Sequence, residues 1–409
     1  MTFVQRPPAR PAPPPRVRVT ELTDTPTRAE VFARVLTAGP MSRTALAAQL
    51  NLSAATVTRV LAPLIEEGYL RETPPETAAV GRPKRLLHVN AERHLAVGIK
   101  IAPTHVAAVL TDMAAQVLAR AERPLDERSP KAVLQTAVDL ITDLVVELTG
   151  EVPDAAERLL GVGVGMGGHV DPRTGVCRRS ALMEWDDVDV AGPLMDATGL
   201  PVAVGNDVNA LVVAEQWFGE GRDVENFAVV TVGSGVGCGL LLGGSLYTGF
   251  TGMAGEFGHL PVDPAGPECT CGARGCLEAL ASSGAVLRRL RGATGDPGYV
   301  DIDAAMALAR QPPGSSAEAG EAARDAFAAA GEALGRGVAG LLNLLGLQKV
   351  ILVGEGVTAF DLFGPAMTAA LERHAFSSAA RDCTVQVDPV TDDLWARGAA
   401  CLVIKATLS

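Results

Sequence analysis

The sequence predicts an α/β protein in which a small winged helix-turn-helix precedes a larger, two-lobed body. Three observations carry that expectation. Residues 40–92 read as two short capped helices joined by a tight turn and followed by a hairpin. Two distant segments, Leu95 to Asp112 and Phe227 to Gly244, each read as an apolar strand, a small-residue turn and a second apolar strand, with helical stretches after each. Such an internal duplication points to two βαβ-rich lobes beside a cleft. The chain is also long for one domain, with 409 residues, 48% of them hydrophobic and 20% charged.

Residues 1–24 are rich in Pro and Arg and nearly devoid of packing side chains, so they read as a disordered arm. No apolar core follows those arginines, so a secretory leader is not expected, nor is any apolar run long enough to span a bilayer. Seven cysteines, only three of them close together, fit a reducing, cytoplasmic setting better than a disulfide framework. The overall charge of −12 hides an asymmetry. Residues 1–95 hold 13 Lys and Arg against 8 Asp and Glu, leaving 22 against 39 for the rest. A basic head on an acidic body implies that only the head meets a polyanion.

The head spans residues 25–92. A helical pattern from Thr27 places Val31, Phe32, Val35 and Leu36 on one face and stops at Gly39-Pro40. Ser42 can cap a short helix carrying Leu46 and Leu50, and Asn51 marks a turn. Ser53 can cap the next helix, whose inner face is Val57, Val60, Leu61, Leu64 and Ile65, and Gly68 stops it. Its outer face shows Ser53, Thr56, Thr58 and Arg59, short hydrogen-bonders and a guanidinium suited to base edges and phosphates. The hairpin that follows carries "GRPKR", setting Arg82, Lys84 and Arg85 at or near a wing tip that can touch phosphate or the minor groove.

The body spans residues 93–409, with one lobe at about 93–210 plus the C-terminal helix and the other at about 211–390. Its segment from Ala317 to Leu345 carries Phe327, Ala330, Leu334, Val338, Leu341 and Leu345 at helical spacing, as expected of a buried helix leading into the strand "KVILVG".

Within the second lobe, His259, Cys269, Cys271 and Cys276 form a compact set. Three thiolates and an imidazole are the ligands of a closed, tetrahedral, structural zinc site, and Gly272 and Gly275 permit tight turns around it. Set deep in the acidic body, this is a brace for a loop rather than a DNA-reading finger. Glu256 and Glu278 flank the set, and the other lobe supplies Asn206, Asp207 and Asn209 in "VGNDVNA". Carboxylates and amides at strand ends beside a cleft suit a polyhydroxylated ligand.

On these motifs the chain resembles regulators of the ROK (repressor, open reading frame, kinase) family over about residues 27–405. The most specific match is "GEFGHLPVDPAGPECTCGARGCLEAL", followed by "GNDVNA", "GVGVGMGGHVD" and the wing "GRP". The resemblance implies a body of actin-like ATPase, sugar-kinase-like architecture. It implies a sugar held by Asn206, Asp207, Glu256, His259 and Glu278, with His259 reaching sugar and zinc through its two ring nitrogens. It also makes Asp207 the counterpart of the family kinases' general base.

Kinase chemistry needs a phosphate cradle and a carboxylate that helps place magnesium. Where family kinases carry Asp-x-Gly-Gly-Thr, this chain has "KIAPT", with Lys100 for the acid and Ala102 and Pro103 for the glycines. A second phosphate loop, "GSGVG" from Gly233, is intact in kind, while the third, "VGEGV", bears the Glu355 carboxylate. No catalytic residue and no ATP are therefore expected. The expectation is a sugar-responsive regulator, a repressor of carbohydrate-utilisation genes that binds a double-stranded operator as a homodimer or homotetramer. An active sugar kinase with a DNA-binding head, and a regulator controlled by a protein partner, are the alternatives.

Overall fold

The computed structural model describes residues 24–73, 85–151, 156–312, 317–388 and 392–408. The expected arm and the wing residues Arg82 and Lys84 lie outside them, save Asp24 at the arm's end. The chain divides into two compact units: everything up to Ala210 together with Ala396 onward, and Leu211–Trp395.

In the first unit the head is built from α1 (Pro26–Ala38), β1 (Met41–Ser42), α2 (Arg43–Gln49), α3 (Ala54–Glu66), β2 (Leu70–Glu72) and β3 (Leu86–Val89). Caps fix the helix starts: Thr25, Ser42 and Ser53 accept from the backbone amides of Arg28, Ala45 and Thr56. Asn51 takes a positive φ of 51° in the turn between α2 and α3. Val31, Phe32, Leu46, Val57, Leu61 and Leu64 form the buried centre, whereas Ile65 is half-buried at the end of α3. The wing strands pair antiparallel, Leu70 with Val89, and β1 adds a third strand through Met41 and Leu87.

The rest of the first unit is a five-stranded sheet in the order β11-β7-β4-β5-β6. These strands are β4 (Leu95–Ile101), β5 (His105–Asp112), β6 (Val117–Pro124), β7 (Leu159–Met166) and β11 (Val202–Asn206), while β8 (His169–Asp171), β9 (Val176–Ser180) and β10 (Trp185–Asp189) form a small sheet of their own. The expected first hairpin is β4–β5, with Leu95 opposite Asp112. Gly98 of β4 and Gly163 of β7 have a packing cause. A Cβ on Gly98 of β4 would lie 1.9 Å from the Ala396 carbonyl oxygen, and one on Gly163 of β7 would lie 1.8 Å from that of Ala399. The C-terminal helix thus rests its backbone directly on the sheet.

The second unit repeats the plan with a sheet in the order β14-β13-β12-β15-β16. Its strands are β12 (Phe227–Val232), β13 (Val236–Leu242), β14 (Ser245–Tyr247), β15 (Lys349–Val353) and β16 (Thr384–Val387). The second expected hairpin is β12–β13, closed around Gly233–Gly235. A long helix, Ala317–Leu345, buries Phe327, Ala330, Leu334 and Val338 as expected; Leu341 and Leu345 are half-buried against the same core, beside the fully buried Leu342. Its Gly331 and Gly335 let the neighbouring helix Phe360–His374 approach so closely that a Cβ would fall within 2.2 Å of that helix's carbonyl oxygens. Among the described residues no helix is long and apolar enough to cross a membrane.

Candidate functional site

On α3, Ser53, Thr58 and Arg59 are exposed, while Thr56 is half-buried. The cap hydroxyl of Ser53 lies 2.9 Å from the Thr56 hydroxyl, and Thr58 donates to the Ala54 carbonyl at 2.9 Å. Arg59 therefore presents the long cationic reach of this face. At the described edge of the wing, Arg85 extends with 66% of its side chain exposed, 3.7 Å from Glu72. Glu72 also accepts from Arg43 Nε at 2.6 Å, an anchor from α2 to the wing that the sequence reading did not anticipate.

The predicted cysteine cluster is brought together in the second unit. One donor atom from each of His259, Cys269, Cys271 and Cys276 lies within 4.8 Å of every other. His259 turns Nδ1 toward Cys269 Sγ at 3.6 Å, and Cys271 Sγ lies 3.7 Å from Cys276 Sγ. The loop wraps itself to achieve this: Cys269 N donates to the Ala273 carbonyl and Gly275 N to that of Pro267, both at 2.8 Å. Gly275, at φ +67°, leaves no room for a side chain, because a Cβ would lie 1.5 Å from the Asp263 carbonyl oxygen. Burial, and then the hydrogen bond to Cys271, pushes the Cys276 thiol up to about 12, whereas the Ala273 backbone amide holds the Cys271 thiol below its usual range. A cation would relieve that burial cost, and three thiols and an imidazole gathered within 4.8 Å are the four-donor set of a structural zinc site, so these residues fit zinc.

The cysteine loop and the candidate sugar acids share one support. A Cβ on Gly255 would lie 2.1 Å from the Cys238 carbonyl oxygen, and one on Gly258 would lie 2.1 Å from that of Val236, so "GEFGH" lies flat on β13. Glu256 is exposed at the start of a short 3-10 turn that ends in His259. Glu278 opens the helix Leu277–Ala281, accepts from Val236 N at 3.2 Å, and packs against Gly258. One strand end thus carries Glu256, His259 and Glu278 together.

In the first unit Asn206 ends β11 and Asp207 begins the helix Asp207–Phe218. Asn206 donates to the Gly168 carbonyl at 3.1 Å and accepts from the amides of Val208 and Asn209, so much of its side chain holds the turn itself. Asp207 Oδ1 accepts from Val208 N at 2.9 Å, and Oδ2 is ion-paired with Lys100 Nζ. Their side chains are only 11% and 13% exposed. Lys100 does more than replace an acid, since it reaches 107 residues along the chain to the candidate base. Asn209, named with Asn206 and Asp207 in the sequence motif, has its Oδ1 buried with no hydrogen-bond partner among the described residues.

Residues 96–406 match the ROK family, and residues 25–77 match the MarR family. The chain is 27% identical over 384 residues to the DNA-binding transcriptional dual regulator NagC of Escherichia coli, covering 93% of each chain. It is 26% identical over 373 residues to the xylose repressor of Caldicellulosiruptor bescii, covering 90% of this chain and 93% of that one. A solved ROK family transcriptional regulator, a homologue of the Escherichia coli Mlc protein, superposes with a TM-score of 0.78 at 24% identity, over 95% of this chain and 98% of that one. A ROK family glucokinase from Streptomyces griseus, solved with glucose and AMPPNP, gives a TM-score of 0.58 at 26% identity over 75% of this chain and 98% of its own. The match to the body covers well over half of the chain, and the chain belongs to the ROK family, with a MarR-type winged-helix region ahead of the ROK body.

Proposed function

We propose that this protein is a sugar-responsive, DNA-binding transcriptional regulator, a repressor of carbohydrate-utilisation genes that acts as a homodimer or a larger homo-oligomer. The observation that carries the reading is the pairing of Lys100 with Asp207 in a chain whose head presents an exposed Arg59. In a kinase the Asp207 carboxylate would take a proton from a sugar hydroxyl. Here the oxygen needed for that step is committed to an ammonium, and no acid stands at position 100 to help place magnesium. Asp207 is left as an acceptor that binds rather than a base that reacts.

The sugar donors and acceptors are Asp207, the remaining amide hydrogen of Asn206, Glu256, the Nε2 of His259 and Glu278. With His259 Nδ1 on the metal side, its other nitrogen is free to orient toward a hydroxyl. Zinc, when bound by His259, Cys269, Cys271 and Cys276, supplies structural bracing. It fixes the loop from which Glu256 and Glu278 project. On the DNA side, Arg59 and Ser53 on α3 reach base edges and phosphates, while Arg85, Arg82 and Lys84 of the wing hold the backbone. Bound sugar and bound operator then alter each other's affinity by the same factor.

The test is thermal stability against a panel of pentoses, hexoses and amino sugars, each with and without magnesium-ATP, followed by operator binding with the sugar found. A ligand at about a hundred times its Kd stabilises by about 2.7 kcal/mol, a shift of several degrees. The expected result is a shift with one sugar, no added shift from ATP, and a changed operator affinity. Phosphorylated sugar among the products would establish the kinase instead, and indifference to every sugar would favour control by a protein partner.

A further inference from the structure

The Gly233–Gly235 turn between β12 and β13, with Val236 and Gly237 opening β13, is a glycine-rich loop of the type that cradles anions with successive backbone amides. Its seat is already taken. Glu355, which follows β15, places Oε1 2.6 Å from Ser234 N. A Cβ built on Gly233 would lie 2.2 Å from the same carboxylate, so the carboxylate lies over the loop itself. The position of Glu355 is fixed from both sides. Gly354, at φ +101°, and Gly356 press against the Val232 carbonyl oxygen, where added side chains would come within 2.6 and 2.8 Å. Thr358 Oγ1 ties back to the Glu355 carbonyl at 2.9 Å, and Ser283 N holds Gly233 O at 2.7 Å.

Beside this contact the second unit holds a cavity of about 160 Å³, whose wall includes Val286, Met306, Phe327, Leu334, Phe363 and Glu355 itself. Its lining is mostly apolar, with Ser283, Asp303 and Glu355 among its polar members. Two carboxylates lie on the loop's amides, Glu355 on Ser234 N and Glu278 on Val236 N, so the site is complementary to a ligand without phosphate.

We propose that Glu355 is an internal stand-in for phosphate: its carboxylate fills the anion seat of the Gly233–Gly237 loop, bars nucleoside phosphates from this unit and restricts the adjoining cavity to uncharged or cationic small molecules. The anion seat remains, its Ser234 amide closed by a residue 121 positions away and its Val236 amide held by Glu278. This inference concerns the second unit alone and does not depend on the chain binding sugar.

Isothermal titration of the full-length protein with ADP and with adenosine tests it, in the natural chain and in the Glu355→Ala and Glu355→Gln variants. Gln retains an oxygen for Ser234 N but no charge, and so keeps the test alive should the Ala variant fold poorly. Because like charges placed together are strongly repelled, ADP affinity should rise by at least about tenfold in the Ala variant and by a smaller factor in the Gln variant. Adenosine affinity should change by less than about twofold, since adenosine carries no phosphate for the seat. Three results overturn the proposal: ADP binding by the natural chain as tight as by the variants, no ADP gain in either variant with its melting intact, or an equal gain for adenosine and ADP.

Discussion

Replacing Lys100 with Met removes the ammonium while roughly preserving the volume of its stem, and leaves Asp207 as a nearly buried carboxylate with only the Val208 amide in hydrogen-bond reach among the contacts described. Breaking one side of a buried pair costs about 3–5 kcal/mol, and the 13% and 11% exposure of the two side chains lowers that expectation to about 2–4 kcal/mol. In a unit of this size that loss corresponds to a fall of roughly 5–15 °C in its melting transition. The assay is calorimetry on Lys100→Met, Asp207→Asn and the double variant, so that other contacts of Lys100 cancel in the cycle. The double variant should recover at least about 1 kcal/mol relative to the sum of the singles, because it removes the stranded charge. If the losses add to within about 0.5 kcal/mol, the two groups are not coupled and the argument for an inactivated base fails.

Three further outcomes follow from the structure. Arg59→Ala should weaken operator binding by about 1–3 kcal/mol, or roughly five- to 150-fold, with far-UV dichroism unchanged; normal operator affinity would remove α3 from the interface. Cys271→Ser should abolish stoichiometric zinc on elemental analysis and the sugar-dependent thermal shift with it, and retained zinc would refute the ligand assignment. Asp361 is held below the usual carboxylate range by hydrogen bonds from Arg310, at 2.7 and 2.9 Å. Because its folded value is depressed, its stabilisation is present above about pH 4 and disappears as the pH falls through that lower value. The pair is solvent-exposed, so Asp361→Asn should cost under about 1 kcal/mol at pH 7. Urea titrations at pH 7 and pH 2 should show the deficit only at the former.

What could be read from the sequence was chemistry close in the chain. Ser42, Ser53 and Asn51 announce the head because caps and turns are settled by residues three or four positions away. Cys269, Cys271 and Cys276 announce a metal because their donors lie within one loop, and His259 enters that loop from the same strand end. Lys100 and Glu355 were legible only as losses. Their new partners, Asp207 and Ser234, are 107 and 121 residues away, and residue type does not say which distant group a long side chain meets. The strand Met41–Ser42 carries too short a pattern to show, and its pairing with Leu87 comes from the tertiary approach of the wing. In the long helix, Leu341 and Leu342 are equally apolar, and which of them is fully buried depends on where the neighbouring helix lies.

Coupling between operator and sugar needs a stiff joint between the head and the sheet of the same unit that leads into Asp207, and the segment after the wing provides one. Asn90 fastens to the end of α3 and to the wing through the carbonyls of Gly68 and Tyr69, at 3.0 and 2.9 Å. The His94 ring stacks on Tyr69 with centroids 5.5 Å apart, and Arg93 lies 4.9 Å over the other reach of that ring. His94 Nδ1 also lies 3.3 Å from the Arg158 carbonyl oxygen, and Arg158 bonds the Glu92 carbonyl in return. Tyr69 is itself 1% exposed within the head, so His94 ties Arg158, the residue before β7, to a buried ring rather than to a slack linker. His94→Ala should therefore keep both sugar binding and intrinsic operator binding while narrowing the difference between operator affinities with and without sugar. Titrating operator in both conditions measures that ratio directly. An undiminished ratio in the His94→Ala protein would show that the joint transmits nothing and that coupling runs by another route.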